Sequence, residues 1–197
     1  MAAREDVLAA LRRAAPAKEA PLPDLSQLGV TFDDLPTQLA VAIEAVGGIC
    51  VLVPNRAAAK RALVELPVHR DAKQVVSRVP DLSAGNLDLA TVKDPHALEG
   101  LDLAILPGEL AVAENGAIWI DAAALPHPAV FVIAEHLVLV VDAKTVVSDM
   151  HAAYARLAER PIAYGTFIAG PSKTADIEQA LVIGAHGARS CTVLLVG

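Results

Sequence analysis

The sequence predicts an α/β protein, layered α/β/α, whose helices cover a mixed and largely parallel sheet. Four apolar runs have the length and the flanking turn residues of buried strands, and segments with helical spacing separate them. These runs are residues 49–53, 101–106, 166–169 and 191–196. Asn115-Gly116 lies between further apolar stretches and predicts a β-hairpin, because both residues tolerate a positive φ. The hairpin adds antiparallel strands, so we expect a mixed sheet.

The N-terminus predicts a helix followed by an arm. Residues 4–14 place Val7, Leu8 and Leu11 on one helical face. Residues 16–34 are rich in Pro and Asp and have little hydrophobic period, so we expect an arm on the surface or on a partner chain. We therefore divide the chain into an N-terminal helix and arm, 1–34, and an α/β domain, 35–197.

Helices and strands alternate between residues 37 and 106. Gly47-Gly48 is a good stop for the first helix, and Asn55 is a good cap for the second. The predicted elements are a helix at 37–46, a buried strand at 49–53, a helix at 56–66, a short strand at 73–78 and a strand at 101–106. Residues 79–100 favour neither structure.

The alternation continues after the hairpin of residues 110–120. Apolar runs predict strands at 129–134 and 137–141, and a helical stripe predicts a helix at 145–160. Gly170-Pro171 ends the strand at 166–169, because Pro lacks the N–H that a ladder needs. We expect a helix after this turn, and then the last buried strand at 191–196.

Composition and charge exclude several classes of protein. The formal net charge is −7 and 3% of the residues are aromatic, so a nucleic-acid surface of basic and aromatic side chains is not expected. The most apolar stretch, 129–141, is too short to span a membrane and contains Glu135 and His136. The N-terminal helix is amphipathic and lacks the uninterrupted apolar core of a signal peptide, so we expect a cytoplasmic protein.

No intrinsic metal or redox cofactor is predicted. Cys50 and Cys191 each lie in an apolar run and are expected to be buried free thiols. An iron–sulfur cluster usually needs four thiolates, so two isolated cysteines do not suffice. The histidines show no metal-ligand spacing, and no G-x-G-x-x-G motif follows a strand.

The segment 170–178 carries the strongest functional pattern. It combines a glycine turn, two hydroxyl side chains that can cap a helix, a lysine, and two acidic residues suited to a first helical turn. A strand, a glycine turn and a helix N-terminus together present N–H groups to an anion. The candidate ligand-binding residues are Gly170, Ser172, Lys173, Thr174, Asp176 and Glu178. A well-capped helix would use the same residues without a ligand, and the sequence leaves both interpretations open.

The same segment carries a family resemblance. Gly-Pro-Ser-Lys-Thr-Ala-Asp-Ile-Glu at 170–178, with Gly-Ala-His-Gly at 184–187, resembles the signature of the LUD-domain proteins, specifically the lactate-utilization protein C family. Ala-Glu-Asn-Gly-Ala at 113–117 stands where that family usually has Ala-Glu-Thr-Gly-Thr. The resemblance covers essentially the whole chain. It implies the fold shared by ribose-5-phosphate isomerase, glucosamine-6-phosphate deaminase and the CoA transferases.

Glu114 and His186 are the candidate catalytic residues. Glu114-Asn115-Gly116 is the tripeptide in which type I CoA transferases carry a nucleophilic glutamate, and Asn115 and Gly116 are ligand-binding candidates beside it. We expect Glu114 to face the same cleft as the anion site. The hairpin alone also explains Asn-Gly. His186 is either an acid/base or anion-binding group, or a surface histidine in a turn.

The resemblance implies an accessory or ligand-binding protein that supports bacterial oxidation of L-lactate to pyruvate. In that system it would act with partner proteins that carry iron–sulfur clusters. The alternative is a stand-alone enzyme with CoA-transferase-like or sugar-phosphate-isomerase-like chemistry that uses Glu114. The substrate does not follow from the sequence, and a homo-oligomer stays open.

Overall fold

The computed structural model describes residues 2–14, 29–159, 164–174 and 181–197. The α-helices are α1 (Ala2–Ala14), α2 (Leu35–Ala45), α3 (Arg56–Glu65), α4 (Pro67–Arg70), α5 (Val130–Ile133) and α6 (Met150–Ala158). The strands are β1 (Ile49–Val53), β2 (Val75–Ser77), β3 (Leu103–Gly108), β4 (Leu110–Val112), β5 (Ala117–Asp121), β6 (His136–Asp142), β7 (Val146–Val147), β8 (Gly165–Ile168), β9 (Lys173–Thr174), β10 (Val182–Ile183) and β11 (Ser190–Val196). Short 3₁₀ turns lie at Leu89–Thr91, Pro95–Leu98, Ala122–Ala124 and Ala143–Thr145.

A parallel sheet forms the centre of the molecule, with the strand order β1-β11-β6-β3-β2. Its inner strands β6 and β11 are nearly continuous apolar runs, as expected for strands that are buried on both faces. Side chains of β6 alternate, since Leu137 and Leu139 face one apolar cluster while Val138 and Val140 face another. The predicted α/β fold class with a largely parallel sheet is confirmed.

Helix α3 covers one face of the parallel sheet. Ala59 and Leu63 of α3 are fully buried against residues of β3, β6 and β11. The helix begins where the sequence predicts, because the Asn55 side-chain oxygen accepts the N–H of Ala58 at 2.9 Å. This cap fixes the direction in which the chain leaves β1.

The opposite face is covered by α2 and by a second sheet, with the strand order β7-β4-β5-β8. Ile118 and Ile120 of β5 pack toward the parallel sheet, whereas Trp119 faces Ala153 and Leu157 of α6. The molecule therefore has one layer more than α/β/α. The predicted hairpin is confirmed as β4 and β5, but its antiparallel pair belongs to the second sheet.

The predicted strand at 166–169 is present as β8, but its expected place in the central sheet was wrong. β8 pairs antiparallel with β5 at the end of the second sheet, and its residues are half-buried. Gly165 makes this approach possible, because a Cβ there would lie 2.1 Å from the Trp119 ring. A short apolar run predicts a strand without showing which sheet it joins.

Two other predicted elements differ from the structure. The strand predicted at 129–134 is wrong, because Val130–Ile133 form the single-turn helix α5 on the path from β5 to β6. The β-propensity of Val and Ile reflects packing against neighbouring strands, so tertiary context overrides it. The helix predicted from residue 145 begins at Met150, because Val146–Val147 pair with β4 and Asp149 is the helix cap.

Strand β1 is an outer strand rather than a fully buried one. It stands at one end of the strand order, and Ile49 and Leu52 are 53% and 49% exposed. Its other side chains pack on both faces, Cys50 with the α2 side and Val51 with the α3 side. The prediction of a strand was correct, and the prediction of complete burial was wrong.

The N-terminal region is helical where the sequence predicts it, in α1. Residues 29–34 of the expected arm lie along the α/β domain, where Phe32 packs against the main apolar cluster. The division of the chain at residue 34 stays a prediction. In the part of the chain that the structure describes, no helix has the length and apolar character needed to cross a membrane.

Candidate functional site

The turn after β8 is fixed by a close contact with the end of α2. Gly170 has a φ of +72°, and a Cβ there would lie 2.7 Å from the carbonyl oxygen of Val46. A side chain is therefore excluded on two grounds, backbone conformation and space. Gly170 and Pro171 are both buried, so this turn is part of the packed structure.

Ser172 joins the two halves of the sequence motif. Its N–H donates to the carbonyl oxygen of Ala188 at 2.8 Å, and its own carbonyl accepts the N–H of Gly184 at 3.0 Å. Both backbone groups of Ser172 are thus used by the segment 184–188. The two stretches that the sequence singled out, 170–174 and 184–187, are brought together by these bonds.

A cleft of about 220 Å³ opens between these two stretches. Gly170, Ser172, His186 and Gly187 contribute to its rim, and His186 is exposed. The remaining lining comes from Pro171, Ala188, Phe131, Val132, Leu137 and residues 166–168 of β8. Most lining residues are therefore apolar, and the polar side chains among them are those of Thr166, Ser172 and His186.

The helix N-terminus predicted at residues 172–174 is wrong. Lys173–Thr174 form β9, which pairs antiparallel with Val182–Ile183 of β10. Thr174, Val182 and Ile183 are β-branched, which suits a strand. The Ser172 N–H is already bonded to the carbonyl oxygen of Ala188. Residues 172–174 therefore do not form a first helical turn whose free N–H groups could bind an anion. Asp176 and Glu178 lie outside the described residues.

Lys173 directs its charge at α2. Its Nζ donates to the carbonyl oxygen of Val46, the residue that caps the C-terminus of that helix. A cation is favourable there because the carbonyl groups at a helix C-terminus carry partial negative charge. Lys173 is a predicted ligand-binding residue, but it does not line the cleft and its charge instead contacts the end of α2.

Glu114 lies at the tip of the β4–β5 hairpin. Its Oε2 accepts the N–H of Met150 at 3.1 Å, and its backbone N–H donates to Ser148 at 2.9 Å. The exposed carboxylate thus sits at the N-terminus of α6, where a negative charge is favourable. This contact is a structural use of Glu114, and the carboxylate stays accessible to solvent.

The two residues after Glu114 shape the hairpin. The Asn115 side-chain oxygen accepts the N–H of Ala117 at 3.0 Å. Gly116 has a φ of +72°, and a Cβ there would lie 2.9 Å from the backbone nitrogen of Ile43 in α2. Asn115 and Gly116 are therefore explained by the turn and by its packing on α2.

Glu114 and the cleft are not brought together. Among the described residues that line the cleft, Glu114 is absent. Both features lie against the C-terminal end of α2, Gly170 against Val46 and Gly116 against Ala42 and Ile43. The cleft also lies near the amino ends of β6 and β11, because Leu137 and Ala188 line it. The expectation of a shared cleft is thus not met by this geometry.

Two other histidines, His127 and His136, have structural partners. His127 lies 2.6 Å from the carbonyl oxygen of Val92, and His136 lies 2.8 Å from the Ser190 hydroxyl. Beside His136, Glu135 pairs with Arg189 at 2.6 Å. Within the described ranges, no three His, Cys, Asp or Glu side chains are grouped as metal ligands.

The two cysteines lie on the same side of the parallel sheet. Cys191 is buried and Cys50 is half-buried in neighbouring strands. Burial raises the pKa of the Cys191 thiol to about 12. Burial, with a smaller contribution from the charge of Glu44, raises the pKa of the Cys50 thiol to about 11. Both thiols are therefore protonated near neutral pH.

Part of the cleft could not be found from the sequence. Phe131 and Val132 belong to α5, whose residues predict a strand, so no local signal places them beside β8. Ala188 could have been suspected, because it directly follows the Gly-Ala-His-Gly stretch. The remaining lining depends on which sheet β8 joins.

Comparisons with known proteins found a family model that matches this chain and a protein that is similar to it. The family model of the LUD domain matches residues 95–196. The lactate utilization protein C of Geobacillus thermodenitrificans (strain NG80-2) is 26% identical over 202 residues, covering 98% of this chain and 79% of that protein.

A solved structure shares the fold. The crystal structure of a DUF162 family protein from Deinococcus radiodurans matches with a TM-score of 0.59, covering 85% of this chain and 99% of that chain. The sequence identity is 19%, so this likeness concerns the fold alone. The match by the family model includes both the Glu114 hairpin and the residues of the motif at 170–187.

Proposed function

Because the chain belongs to the LUD-domain family, we propose that it takes part in lactate utilization. The family model covers residues 95–196, and the relative from Geobacillus is named for lactate utilization. Gly170, Pro171 and Ser172 of one half of the motif and His186 and Gly187 of the other line one cleft, which is the arrangement expected if these residues serve one ligand. The cleft is the observation that carries the proposal.

The proposed role is that of an accessory, ligand-binding protein in the oxidation of L-lactate to pyruvate. The sequence contains two cysteines, and both thiols have raised pKa values in an apolar environment. A cluster of iron and sulfide is usually held by four thiolates. The electrons of lactate would therefore pass to partner proteins that carry iron–sulfur clusters.

The cleft suits a small molecule with one apolar and one polar end. Phe131, Leu137 and Phe167 provide apolar lining, and Thr166, Ser172 and His186 provide hydrogen-bonding side chains. A carboxylate could accept from the Ser172 hydroxyl and from His186, while a methyl group lies against the walls. L-lactate and pyruvate have this chemistry.

Genetic complementation tests the role. We expect deletion of the gene to impair growth on L-lactate, and the wild-type gene to restore it. Ser172→Ala and His186→Ala should restore growth poorly, because each removes a polar group of the cleft. His96→Ala is the matched control, since His96 is also exposed and lies outside the cleft. Full rescue by both cleft variants would contradict a ligand role for the cleft.

The purified protein tests the accessory character. We expect no reduction of a dye by L-lactate with this protein alone, and reduction when its partner proteins are added. Lactate-dependent dye reduction by the isolated chain would overturn the accessory role.

The second candidate is a stand-alone enzyme with CoA-transferase-like or sugar-phosphate-isomerase-like chemistry. It is favoured by one observation, the exposed carboxylate of Glu114 in a Glu-Asn-Gly turn. Steady turnover of an acyl-CoA that is lost in Glu114→Gln would favour this candidate. Because Glu114 also contacts the start of α6, thermal unfolding of the variant must match that of the wild type.

A further inference from the structure

Gly187 lines the cleft, and its backbone conformation does not explain why it is a glycine. Its φ lies outside the left-handed region that favours glycine, in contrast to Gly170 and Gly184. Space gives a reason instead, because a Cβ at Gly187 would lie 3.0 Å from the Ser172 Cβ and 3.3 Å from its Oγ. The missing side chain therefore keeps a space open beside Ser172.

This space lies between two segments that line the cleft. The Ser172 side chain is on one side, and the Val132 carbonyl oxygen is on the other, 4.0 Å from the position of the Cβ. Ser172 follows β8, whereas Val132 belongs to α5, and both residues line the cleft. An atom of a ligand could therefore lie where a larger residue would place its Cβ.

The Ser172 hydroxyl beside this space is not used by the fold. Both backbone groups of Ser172 are bonded within the motif, but its side chain makes no hydrogen bond to the described residues of the chain. A hydroxyl donates to an acceptor oxygen at about 2.5–3.0 Å. A Cβ at 3.3 Å from Oγ would obstruct an acceptor on that side. Gly187 thus leaves the hydroxyl open to a ligand.

The charges of the lining limit the number of anionic groups that a ligand can carry. Among the described residues that line the cleft, His186 is the one titratable side chain, and none is Lys or Arg. Phosphate groups and multiple carboxylates are usually held by cationic side chains. A single carboxylate that accepts from the Ser172 hydroxyl and from His186 matches the donors that are present.

The size and the apolar lining limit the rest of the ligand. The volume of about 220 Å³ is below the roughly 300–1,000 Å³ of sites for drug-sized ligands. Phe131, Leu137 and Phe167 offer hydrocarbon surface, from which a short alkyl group displaces water favourably. A second charged group against this surface would lose hydration without gaining a partner.

We propose that the cleft takes a short-chain monocarboxylate and that Gly187 determines this specificity, by leaving room for the carboxylate beside the Ser172 hydroxyl. This specificity rests on the proposed ligand role of the cleft in lactate utilization. It adds the class of ligand that the cleft accepts and the residue that selects it.

Titration of the full chain with pyruvate and with L-lactate, followed by ligand-observed nuclear magnetic resonance, tests the proposal. We expect saturable binding of at least one of them to the wild type. L-malate, which carries a second carboxylate, should bind at least about tenfold more weakly. Gly187→Ala should weaken binding of the monocarboxylate at least about tenfold, as expected for the loss of a hydrogen bond to a charged group.

Gly29→Ala is the matched control. Its φ is also outside the left-handed region, and its Cβ would also meet a side chain closely, at 2.9 Å from the Asp149 Oδ2. Gly29 lies outside the lining of the cleft, so we expect this variant to bind as the wild type does. An equal loss of binding in Gly29→Ala would overturn the role of Gly187.

A double-mutant cycle with Ser172→Ala separates a blocked hydroxyl from a general disturbance of the fold. If the added methyl group acts by obstructing the hydroxyl, Gly187→Ala should weaken binding little further in the Ser172→Ala background. Losses that add in the double variant would overturn the proposed role of Gly187.

The wild type distinguishes failure of this specificity from failure of the ligand role. No binding of pyruvate or of L-lactate would overturn both. Binding that Ser172→Ala weakens and Gly187→Ala leaves unchanged would overturn the role of Gly187 alone. If Gly187→Ala does not show cooperative thermal unfolding, the wild type decides, since equal affinity for L-malate and the monocarboxylate would overturn the proposal.

Discussion

Gly170 is the residue whose replacement tests the contact between the motif and α2. We expect Gly170→Ala to lower the free energy of unfolding by about 1–3 kcal/mol for the positive φ, with a further loss from the clash with Val46. Gly100→Ala is the matched control, because Gly100 has a φ of +79° and nothing within 4 Å of a Cβ. Denaturant unfolding measures both. Equal losses in the two variants would show that the contact with Val46 carries no cost.

Cys191 should make stability depend on alkaline pH. Its pKa is raised by burial to about 12 in the folded state, whereas an unfolded cysteine titrates near pH 8.5. A raised folded-state pKa gives stability that is fully present below pH 8.5 or so and is lost as the pH rises toward 12. We expect the unfolding midpoint of the wild type to fall more steeply over this window than that of Cys191→Ala. Parallel curves would contradict the prediction.

At the scale of elements, Asp149 joins α6 to the N-terminal arm. This carboxylate is buried, and it accepts N–H groups from Ala152 at 2.8 Å and from Val30 at 3.0 Å. We expect Asp149→Ala to cost about 0.5–2 kcal/mol for the lost cap and also to release Val30. Hydrogen exchange should show faster exchange of the Val30 amide.

Asp34→Ala is the control that separates the two effects of Asp149→Ala, the lost helix cap and the release of Val30. Asp34 caps α2 by accepting the N–H of Thr37 at 3.1 Å. The bonds to Thr37 hold the pKa of Asp34 below its ordinary value. We expect this variant to lose a helix cap while the Val30 amide keeps its protection. A Val30 amide that stays protected in Asp149→Ala would show that the arm is held by other contacts.

At the scale of the whole molecule, one apolar cluster connects the two sheets. Leu106 and Leu139 of the parallel sheet share it with Ile118 and Ile120 of the second sheet. Because both sheets lose the same contacts on separation, we expect them to unfold together.

Trp119, the single tryptophan, reports on the second sheet. It is 7% exposed and packs edge-to-face against Phe167 at 4.9 Å between ring centroids. We expect its emission and the far-ultraviolet circular dichroism to change at the same denaturant concentration. Ala153→Gly, beneath the Trp119 face of that sheet, should lower both midpoints equally. Separate midpoints would show that the second sheet unfolds independently.

Several elements were determined by the sequence alone, because their signals act over a few residues. Asn55 caps α3 within three residues, and Asn115-Gly116 closes the hairpin between β4 and β5. The apolar runs of β6 and β11 predicted strands, and the structure shows that both strands are largely buried. The motif at 170–187 by itself also indicated the family.

The tertiary structure alone decided which partners these elements have. β8 pairs with β5 in the second sheet, and residues 173–174 form a strand. The Lys173 ammonium group donates to the carbonyl oxygen of Val46, which lies 127 positions away in the sequence. The tertiary structure also left Glu114 outside the lining of the cleft. A local pattern fixes backbone propensity and the face that must be buried. The choice among several apolar surfaces depends on contacts between distant segments, which no local pattern contains.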